Sequence, residues 1–341
     1  MYTSIGLFNH KGGVGKTTLI VNLARAFSQL GFRTLVVDAD PQCNATAFYL
    51  PESEVDRLLD ESIDPEEGGT LWSGIARHVR GRGEVRSIQP YEVDSNVLLL
   101  PGDVLLGAFE DRLSSAWKDS FSKDPTSIDL MSAVFRCVDA TANEQEVDIV
   151  LYDVGPSVGS LNRALLLGCE HFVVPVACDL FSLRALGTLG QTLCSWISSW
   201  KTVRDLTKEI DDVTLLPGLP KFAGYITQHF NIYRGRSSSA FEAWEKKIAP
   251  RIIKNVVTPL QGLAPELIDV HGGKPNKLGE VPAFHSLAPL SQKLGIPIGG
   301  LSGHPEVNNG YGQKIDEADE TFRAIAKDLA KRTGAVPAAA L

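Results

Sequence analysis

The stretch Phe8–Thr18, FNHKGGVGKTT, separates a short apolar run, SIGLF (residues 4–8), from apolar residues at helical spacing (residues 17–31). A strand, a glycine-rich loop and a helix in this order are the context of a phosphate-binding loop. Glycines turn without the steric penalty of a Cβ atom, so successive backbone N–H groups can converge on phosphate oxygens. The start of the helix adds its positive dipole end. The stretch therefore predicts a site for nucleotide phosphates.

Two side chains in this stretch have the chemistry of nucleotide binding. In a phosphate-binding loop Lys16 would contact the β- and γ-phosphates, and the Thr17 hydroxyl would bind Mg²⁺. The usual pattern begins with glycine, whereas this chain has His10 there, so a glycine-rich turn without a ligand is the alternative. A second lysine, Lys11, lies in the same loop, although one lysine is enough to hold a phosphate.

Short, unalternating apolar runs recur along the chain and alternate with helical patterns. Such strands are typical of a parallel sheet that is buried on both faces, and ligands of these sheets bind at the carboxyl ends of the strands. We predict an α/β fold, a three-layer P-loop NTPase fold with a mostly parallel central sheet and helices on both faces. The predicted strands after the first are residues 33–38, 96–101, 148–153, 171–176 and 222–227.

Length and composition fit one large globular domain. The 341 residues are 43% hydrophobic and 22% charged, which provides ample apolar material for a core. We expect a single domain over residues 1–335 and a tail at 336–341. Two segments are larger than a minimal domain of this kind needs. They are residues 105–145 and residues 258–280, and the Pro and Gly content of the second predicts an irregular excursion.

The five cysteines are scattered, and no C-x-x-C pair occurs. This pattern argues against a disulfide framework and against a zinc or iron–sulfur site. No apolar run approaches the ~20 residues of a membrane-spanning helix, and Met1 to Phe8 has the pattern of a strand instead of a targeting segment. We therefore expect a cytoplasmic protein.

The loop resembles that of the deviant P-loop ATPases of the ParA/MinD family, in particular the ParA/Soj type, because Lys11 to Thr17 match the motif K-G-G-x-G-K-[ST]. The resemblance implies that Lys16 serves the phosphates of its own subunit, while Lys11 reaches across a two-fold interface to the partner's nucleotide. A γ-phosphate attracts this second cation, so ATP would stabilise a homodimer that ADP would not. The implied ATP-binding residues are Lys11, Gly12, Gly13, Val14, Gly15, Lys16, Thr17 and Thr18.

Residues 36–46, VVDADPQCNAT, are similar to the D-x-D-P-Q-x-N switch of the same family. The similarity implies that Asp40 orients the attacking water and lies close to Mg²⁺ and the γ-phosphate. Asp40 thereby joins Lys11 and Lys16 as an implied catalytic residue.

Residues 148–176 are similar to the family's Walker B strand, second switch and next strand. Asp153 is implied as a metal-linked carboxylate, so that Thr17, Asp40 and Asp153 form the implied Mg²⁺ site. An acid at a strand end often only caps the next helix, which is the alternative for Asp153. The family usually has two prolines where this chain has Gly155 and Pro156, so we expect a looser second switch.

The ParA-type members of the family imply two further partners, double-stranded DNA bound without sequence preference and a ParB-like protein that stimulates hydrolysis. Residues 221–254 hold seven bases against two acids, in contrast to the net charge of −8 for the whole chain. Such a cluster would neutralise DNA phosphates without reading bases, and a solvated helix surface is the alternative. The candidate DNA-binding residues are Lys221, Arg234, Arg236, Lys246, Lys247, Arg251 and Lys254.

Two other functions remain open. A MinD-like membrane-cycling regulator needs an amphipathic C-terminal helix; residues 318–334 place Phe322, Ile325 and Leu329 at helical spacing, but their mixed charge favours a helix docked on the sheet, so we expect no membrane partner. A ParA-like ATPase could also serve another multi-protein system. The resemblance is weak in the last third, where Ala283 replaces an arginine common in the family. We expect a nucleoid-associated location in the cytoplasm.

Overall fold

The short apolar runs of the sequence form the strands of one sheet. The computed structural model describes residues 2–64, 68–208, 210, 213–228, 238–269, 276–284 and 286–338, without the side chains of 238–243 and 309. The described strands are β1 (Thr3–Leu7), β2 (Thr34–Asp38), β3 (Tyr91–Asp94), β4 (Val97–Leu100), β5 (Ile149–Asp153), β6 (His171–Ala177), β7 (Lys221–Gln228) and β8 (Lys277–Val281). Their order is β3-β4-β2-β5-β1-β6-β7-β8.

All neighbouring strands in this sheet are parallel except the β3–β4 pair. The register aligns Leu7 of β1 and Asp38 of β2 with Asp153 of β5. The loops that follow these three strands therefore start at one edge of the sheet.

Helices cover both faces of the sheet, so the predicted three-layer α/β fold is confirmed. Helices α4 to α10 contribute to the larger apolar core on one face, while α1 and α12 pack on the other. The described helices are α1 (Lys16–Gln29), α2 (Asn44–Tyr49), α3 (Glu52–Glu61), α4 (Leu71–Val79), α5 (Leu106–Asp119), α6 (Pro125–Glu144), α7 (Ser160–Gly168), α8 (Leu180–Leu206), α9 (Ser238–Ile252), α10 (Thr258–Leu263), α11 (Leu287–Leu294) and α12 (Gly312–Thr333). Because the eight strands form one sheet, we propose that residues 1–335 are a single domain.

The expectation of an irregular excursion at 258–280 is wrong for its two described ends. Residues Thr258–Leu263 form α10, where Pro259 lies in the first turn, a position at which a missing N–H costs nothing. Lys277–Val281 is strand β8, and Gly279 leaves room for Ile325 of α12 to approach the sheet. Pro and Gly here meet the steric needs of regular elements.

Residues 105–145 are also more regular than their description as an excursion implies. They form α5 and α6, which connect β4 to β5 and bury apolar side chains such as Phe109 and Met131 in the larger core. In the segment 336–341, the N–H of Ala338 donates to Asp148 Oδ1 at 3.0 Å. The residues after Ala338 lie outside the described part.

The last helix, α12, is docked on the sheet. Phe322, Ile325 and Leu329 are buried among residues of α1 and the strands. Among the described helices, none combines the length and the apolar character needed to cross a bilayer.

Helix α9 continues into a π-helical turn, Ile253–Val257, which packs closely on α8. A Cβ atom at Gly190 of α8 would collide with the carbonyl oxygen of Asn255 in this turn, whereas a Cβ at Gly187 would meet nothing within 4 Å. The close approach of the two elements therefore requires glycine at position 190.

We predict that Gly190→Ala lowers the free energy of unfolding by about 1–3 kcal/mol, because the added methyl group overpacks this contact. Gly187→Ala is the matched control in the same helix. It should be neutral or stabilising by about 0.5–1 kcal/mol, since alanine restricts the unfolded chain. Urea denaturation measures both, and equal effects of the two substitutions would contradict the packing argument.

Candidate nucleotide site

The glycine-rich loop connects β1 to α1 at the carboxyl edge of the sheet. Gly13 and Gly15 have φ angles of 70° and 69°, in the left-handed region that glycine tolerates best. Gly15 is the N-cap of α1, which begins at Lys16, one residue earlier than expected. The sequence thus folds here into a glycine-rich loop that leads directly into the N-terminus of a helix, the arrangement that favours anion binding.

Asn9 holds the loop in place through hydrogen bonds, a role that the sequence patterns did not reveal. Its side-chain amide donates to the carbonyl oxygen of Pro175 in β6 at 2.7 Å, and its Oδ1 accepts the N–H of Lys11 at 3.0 Å. Its own carbonyl oxygen accepts a hydrogen bond from Lys16 Nζ at 3.2 Å. Asn9 therefore fixes the backbone of the loop to the neighbouring strand.

The predicted Mg²⁺ residues meet beside Lys16. Thr17 Oγ1 donates to Asp153 Oδ2 at 2.7 Å, and Asp40 and Asp153 are both buried. The bond to Thr17 shows that Asp153 faces the loop; it does not cap α7, whose N-cap is Gly159. The structure therefore favours the site interpretation of Asp153 over the helix-cap alternative.

Burial and nearby charges shift the pKa values of Asp153 and Lys16. Burial raises the pKa of Asp153, and the nearby charge of Asp38 raises it further. Burial lowers the pKa of Lys16, while the carboxylates of Asp153 and Asp40 oppose that shift. A divalent cation would relieve the repulsion between these carboxylates, as expected of a metal-linked site.

Asp38 is a site residue that we did not single out. It is fully buried at the end of β2, and its Oδ2 accepts both the N–H and the hydroxyl of Thr46 at 2.7 Å. The N–H of Asp40 points back to its Oδ1 at 3.4 Å. Asp38 thus holds the segment 38–46 against the end of the strand.

In the described residues, no three His, Cys, Asp or Glu side chains meet as a self-sufficient metal cluster. This agrees with the chemistry of Mg²⁺, which is commonly bound by one or two protein groups together with phosphate oxygens and waters. Thr17, Asp40 and Asp153 fit such a partial ligand set.

A cavity of about 380 Å³ opens in front of the loop. It is lined by loop residues from Gly13 to Thr18, by Asp40, and also by residues that we did not predict. These additional residues are Asn44 and Phe48 of α2, Pro156 of the second switch, and Ala288, Pro289, Ser291 and Gln292 of α11. Helix α11 follows β8 in the chain. It lines the cavity because the fold brings it next to the phosphate loop, which lies far away in the sequence.

Thr227 and Gln228 lie at the end of β7 and are buried. They are not among the residues that line the cavity. Instead, the Gln228 amide donates to the carbonyl oxygen of Gly15 at 3.4 Å, so this side chain supports the loop.

Two of the predicted ATP-binding residues, Lys11 and Gly12, do not line the cavity. Lys11 Nζ instead donates to Asp179 Oδ2 at 2.5 Å and to Ser182 Oγ at 3.1 Å. The two lysines of the loop therefore point to different surroundings, Lys16 into the phosphate cavity and Lys11 to the start of α8.

The basic stretch is only partly described, because Arg234 and Arg236 lie outside the described residues. Lys246, Lys247, Arg251 and Lys254 are exposed on α9 and the π-helical turn, and none of these four is in an ion pair with a described residue. Lys221 is exposed at the start of β7, about 23 Å along the strand from the end near the loop. The described cations on α9 and its π-helical turn thus form one solvated surface.

We predict that Lys16→Ala weakens ATP binding by about 100-fold or more, because it removes the buried charge closest to the predicted phosphates. Isothermal titration with ATP and Mg²⁺ measures the loss. Lys118→Ala, which removes an exposed lysine on α5, should leave the affinity unchanged. Similar affinities for wild type and Lys16→Ala would rule Lys16 out as a phosphate ligand.

Comparisons with known proteins agree with this geometry. The family model described as "AAA domain" matches residues 2–205. The chromosome-partitioning ATPase Soj of Thermus thermophilus is 31% identical over 189 residues, which cover 55% of this chain and 60% of Soj. The chain spans about half to two thirds of the length of the curated relatives that head the comparison.

Two solved structures share the fold along nearly the whole chain. A protein of Corynebacterium diphtheriae has a TM-score of 0.66 at 26% identity, covering 97% of this chain and 98% of its own. A plasmid partition protein of Borrelia burgdorferi, crystallised with AMPPNP, has a TM-score of 0.57 at 16% identity, covering 97% and 100%. With the matched family model and the phosphate loop, these likenesses show that the chain belongs to the AAA-domain family, among its ParA/Soj-type P-loop ATPases.

Proposed function

We propose that this protein is an ATP hydrolase of the ParA type that dimerises when it binds ATP. The observation that carries the proposal is the separation of the two loop lysines. Lys16 lines the cavity with Thr17 and Asp40, and Thr17 bonds to the buried Asp153, whereas Lys11 extends from the same loop to the start of α8.

The cavity residues supply the parts that hydrolysis of a phosphoanhydride needs. The loop N–H groups and Lys16 would hold the phosphates, and Thr17, Asp40 and Asp153 would hold Mg²⁺, which neutralises charge on the phosphate oxygens. Asp40 is buried beside them and is the carboxylate proposed to orient the attacking water. These residues would supply the groups for hydrolysis from one subunit, apart from the second cation.

Lys11 would supply that second cation to another subunit. Since Lys11 does not line its own cavity and its side chain is partly exposed, its ammonium would reach a triphosphate presented by a second copy once it leaves Asp179. A γ-phosphate adds negative charge where this ammonium would bind, so ATP would favour the dimer more than ADP does.

The exposed cations on α9 and its π-helical turn support DNA as a partner. A surface that carries positive charge on a chain of net charge −8 would bind phosphates through a local patch. We propose that the ATP-bound dimer binds double-stranded DNA without sequence preference, in the cytoplasm and on the nucleoid. A ParB-like protein would then stimulate hydrolysis and release, in plasmid or chromosome segregation or in the positioning of another cargo.

We predict that Lys11→Ala binds ATP like the wild type but fails to dimerise, because the cross-subunit cation is missing. Analytical ultracentrifugation with a non-hydrolysable ATP analogue and Mg²⁺ tests this, with ADP as the nucleotide control. Lys16→Ala separates the two functions, since it should lose nucleotide binding itself. A normal dimer of the Lys11 variant would overturn the cross-subunit role.

For DNA, we predict that the double variant Lys247→Glu/Arg251→Glu weakens duplex binding similarly for unrelated sequences and flattens its salt dependence. Each lost phosphate contact should reduce the slope of log K against log[salt] by about one. Lys314→Glu/Lys327→Glu makes the same charge change on α12, on the other face of the sheet, and should have little effect. If ATP promotes no duplex binding by the wild type at low salt, a cargo other than DNA is indicated.

A further inference from the structure

The ion pair between Lys11 and Asp179 joins the phosphate loop to α8. Lys11 Nζ lies 2.5 Å from Asp179 Oδ2 and 3.1 Å from Ser182 Oγ. Asp179 is also the N-cap of α8, where its Oδ1 accepts the N–H of Ser182 at 2.8 Å. Asp179 Oδ1 thus caps the helix, while Oδ2 accepts from the Lys11 ammonium and from the Ser182 hydroxyl.

The surroundings of this pair hold it in place but do not bury it. Partial burial opposes ionisation of Asp179, yet the hydrogen bonds from Lys11 and Ser182 together with the charge of Lys11 outweigh it and lower the pKa of this carboxyl group. The side chains of Lys11 and Asp179 are 26% and 39% exposed. The Lys11 ammonium can therefore leave Asp179 without opening the core.

Only the side chain of Lys11 has to move for this exchange. Asn9 already fixes the backbone N–H of Lys11 at 3.0 Å and is itself tied to β6. A single ammonium cannot satisfy Asp179 and a phosphate of another subunit at full strength at the same time. The two anions compete for one cation, and such competition shifts an equilibrium by the difference in affinity.

We propose that Asp179, with Ser182, is an intramolecular latch that retains Lys11 in the monomer and so sets the threshold for dimerisation. This inference rests on the proposed function, since it assumes that Lys11 serves a second copy. The latch is a restraint on assembly and takes no part in binding the subunit's own nucleotide, because neither Asp179 nor Ser182 lines the cavity.

The symmetry of a dimer amplifies the effect of the latch. Each dimer needs two released lysines, so the dimer dissociation constant depends on the square of the latch equilibrium in one subunit. A half-exposed ion pair that favours the latched state by about twofold leaves about one third of the lysines released and would then weaken the dimer by about tenfold.

The substitution Asp179→Asn tests the latch without removing the helix cap, because asparagine caps helices as well as aspartate does. Asp124→Asn is the matched control. Asp124 caps α6 in the same manner, with its Oδ2 accepting the N–H of Ser127 at 2.8 Å, and it has no contact with Lys11. Ser182→Ala removes the weaker of the two contacts and retains the backbone N–H that is capped.

Dimer dissociation constants are measured by analytical ultracentrifugation with a non-hydrolysable ATP analogue and Mg²⁺. We expect Asp179→Asn to dimerise about tenfold more tightly than the wild type, Ser182→Ala to change in the same direction by less, and Asp124→Asn to match the wild type. Chemical acetylation of Lys11 in nucleotide-free protein, followed by peptide mass spectrometry, should be faster in Asp179→Asn, since the amine is no longer engaged.

The outcomes separate the latch from the function on which it rests. If the wild type forms an ATP-dependent dimer but Asp179→Asn dimerises equally or less tightly, the latch is overturned and the proposed function stands. An unchanged rate of Lys11 acetylation in Asp179→Asn overturns it as well. If the wild type does not dimerise with ATP, the proposed function fails, and the latch fails with it.

Discussion

The parallel pairing of β5 with β1 on one side and β2 on the other is the constraint on which the candidate site depends. It aligns Asp38 with Asp153 and places the start of the phosphate loop beside them. Two buried carboxylates are costly to ionise, and burial raises the pKa of both; the charge of Asp38 raises the pKa of Asp153 further, and the charge of Asp40 adds to the rise for Asp38. The positive groups at the same edge, Lys16 and the N-terminus of α1, offset that cost.

The two lysines of the phosphate loop lie near different carboxylates. Lys16 is buried and lies near Asp40 and Asp153 as well as the cavity, so its charge stays within its own subunit. Lys11 is half-exposed and bound to Asp179, which leaves its charge exchangeable. One short loop thereby carries a buried cation and a partly exposed one, and the proposed nucleotide-dependent dimerisation rests on this asymmetry.

Local sequence patterns predicted most strands of the sheet and several residues of the candidate site, but not all of them. Strands β1, β2, β4, β5, β6 and β7 were predicted because each is a continuous apolar run. Strands β3 and β8 were missed because they carry few apolar residues at the edges of the sheet, where one side is open and burial is partial. Asp179, Asn9 and the cavity wall of α11 were missed because each acts through a residue far away in the chain, which no local pattern encodes.

The sequence by itself determined the phosphate loop, the two candidate acids Asp40 and Asp153, and the α/β class, because these depend on short-range chemistry: glycine at turns, apolar strands, and acids at or shortly after the ends of those strands. Only the tertiary structure decided which anion each lysine meets, that Asp153 bonds to Thr17 instead of capping α7, and which helix closes the cavity. Those outcomes depend on sheet order and register, which bring together residues more than a hundred positions apart, such as Lys11 and Asp179.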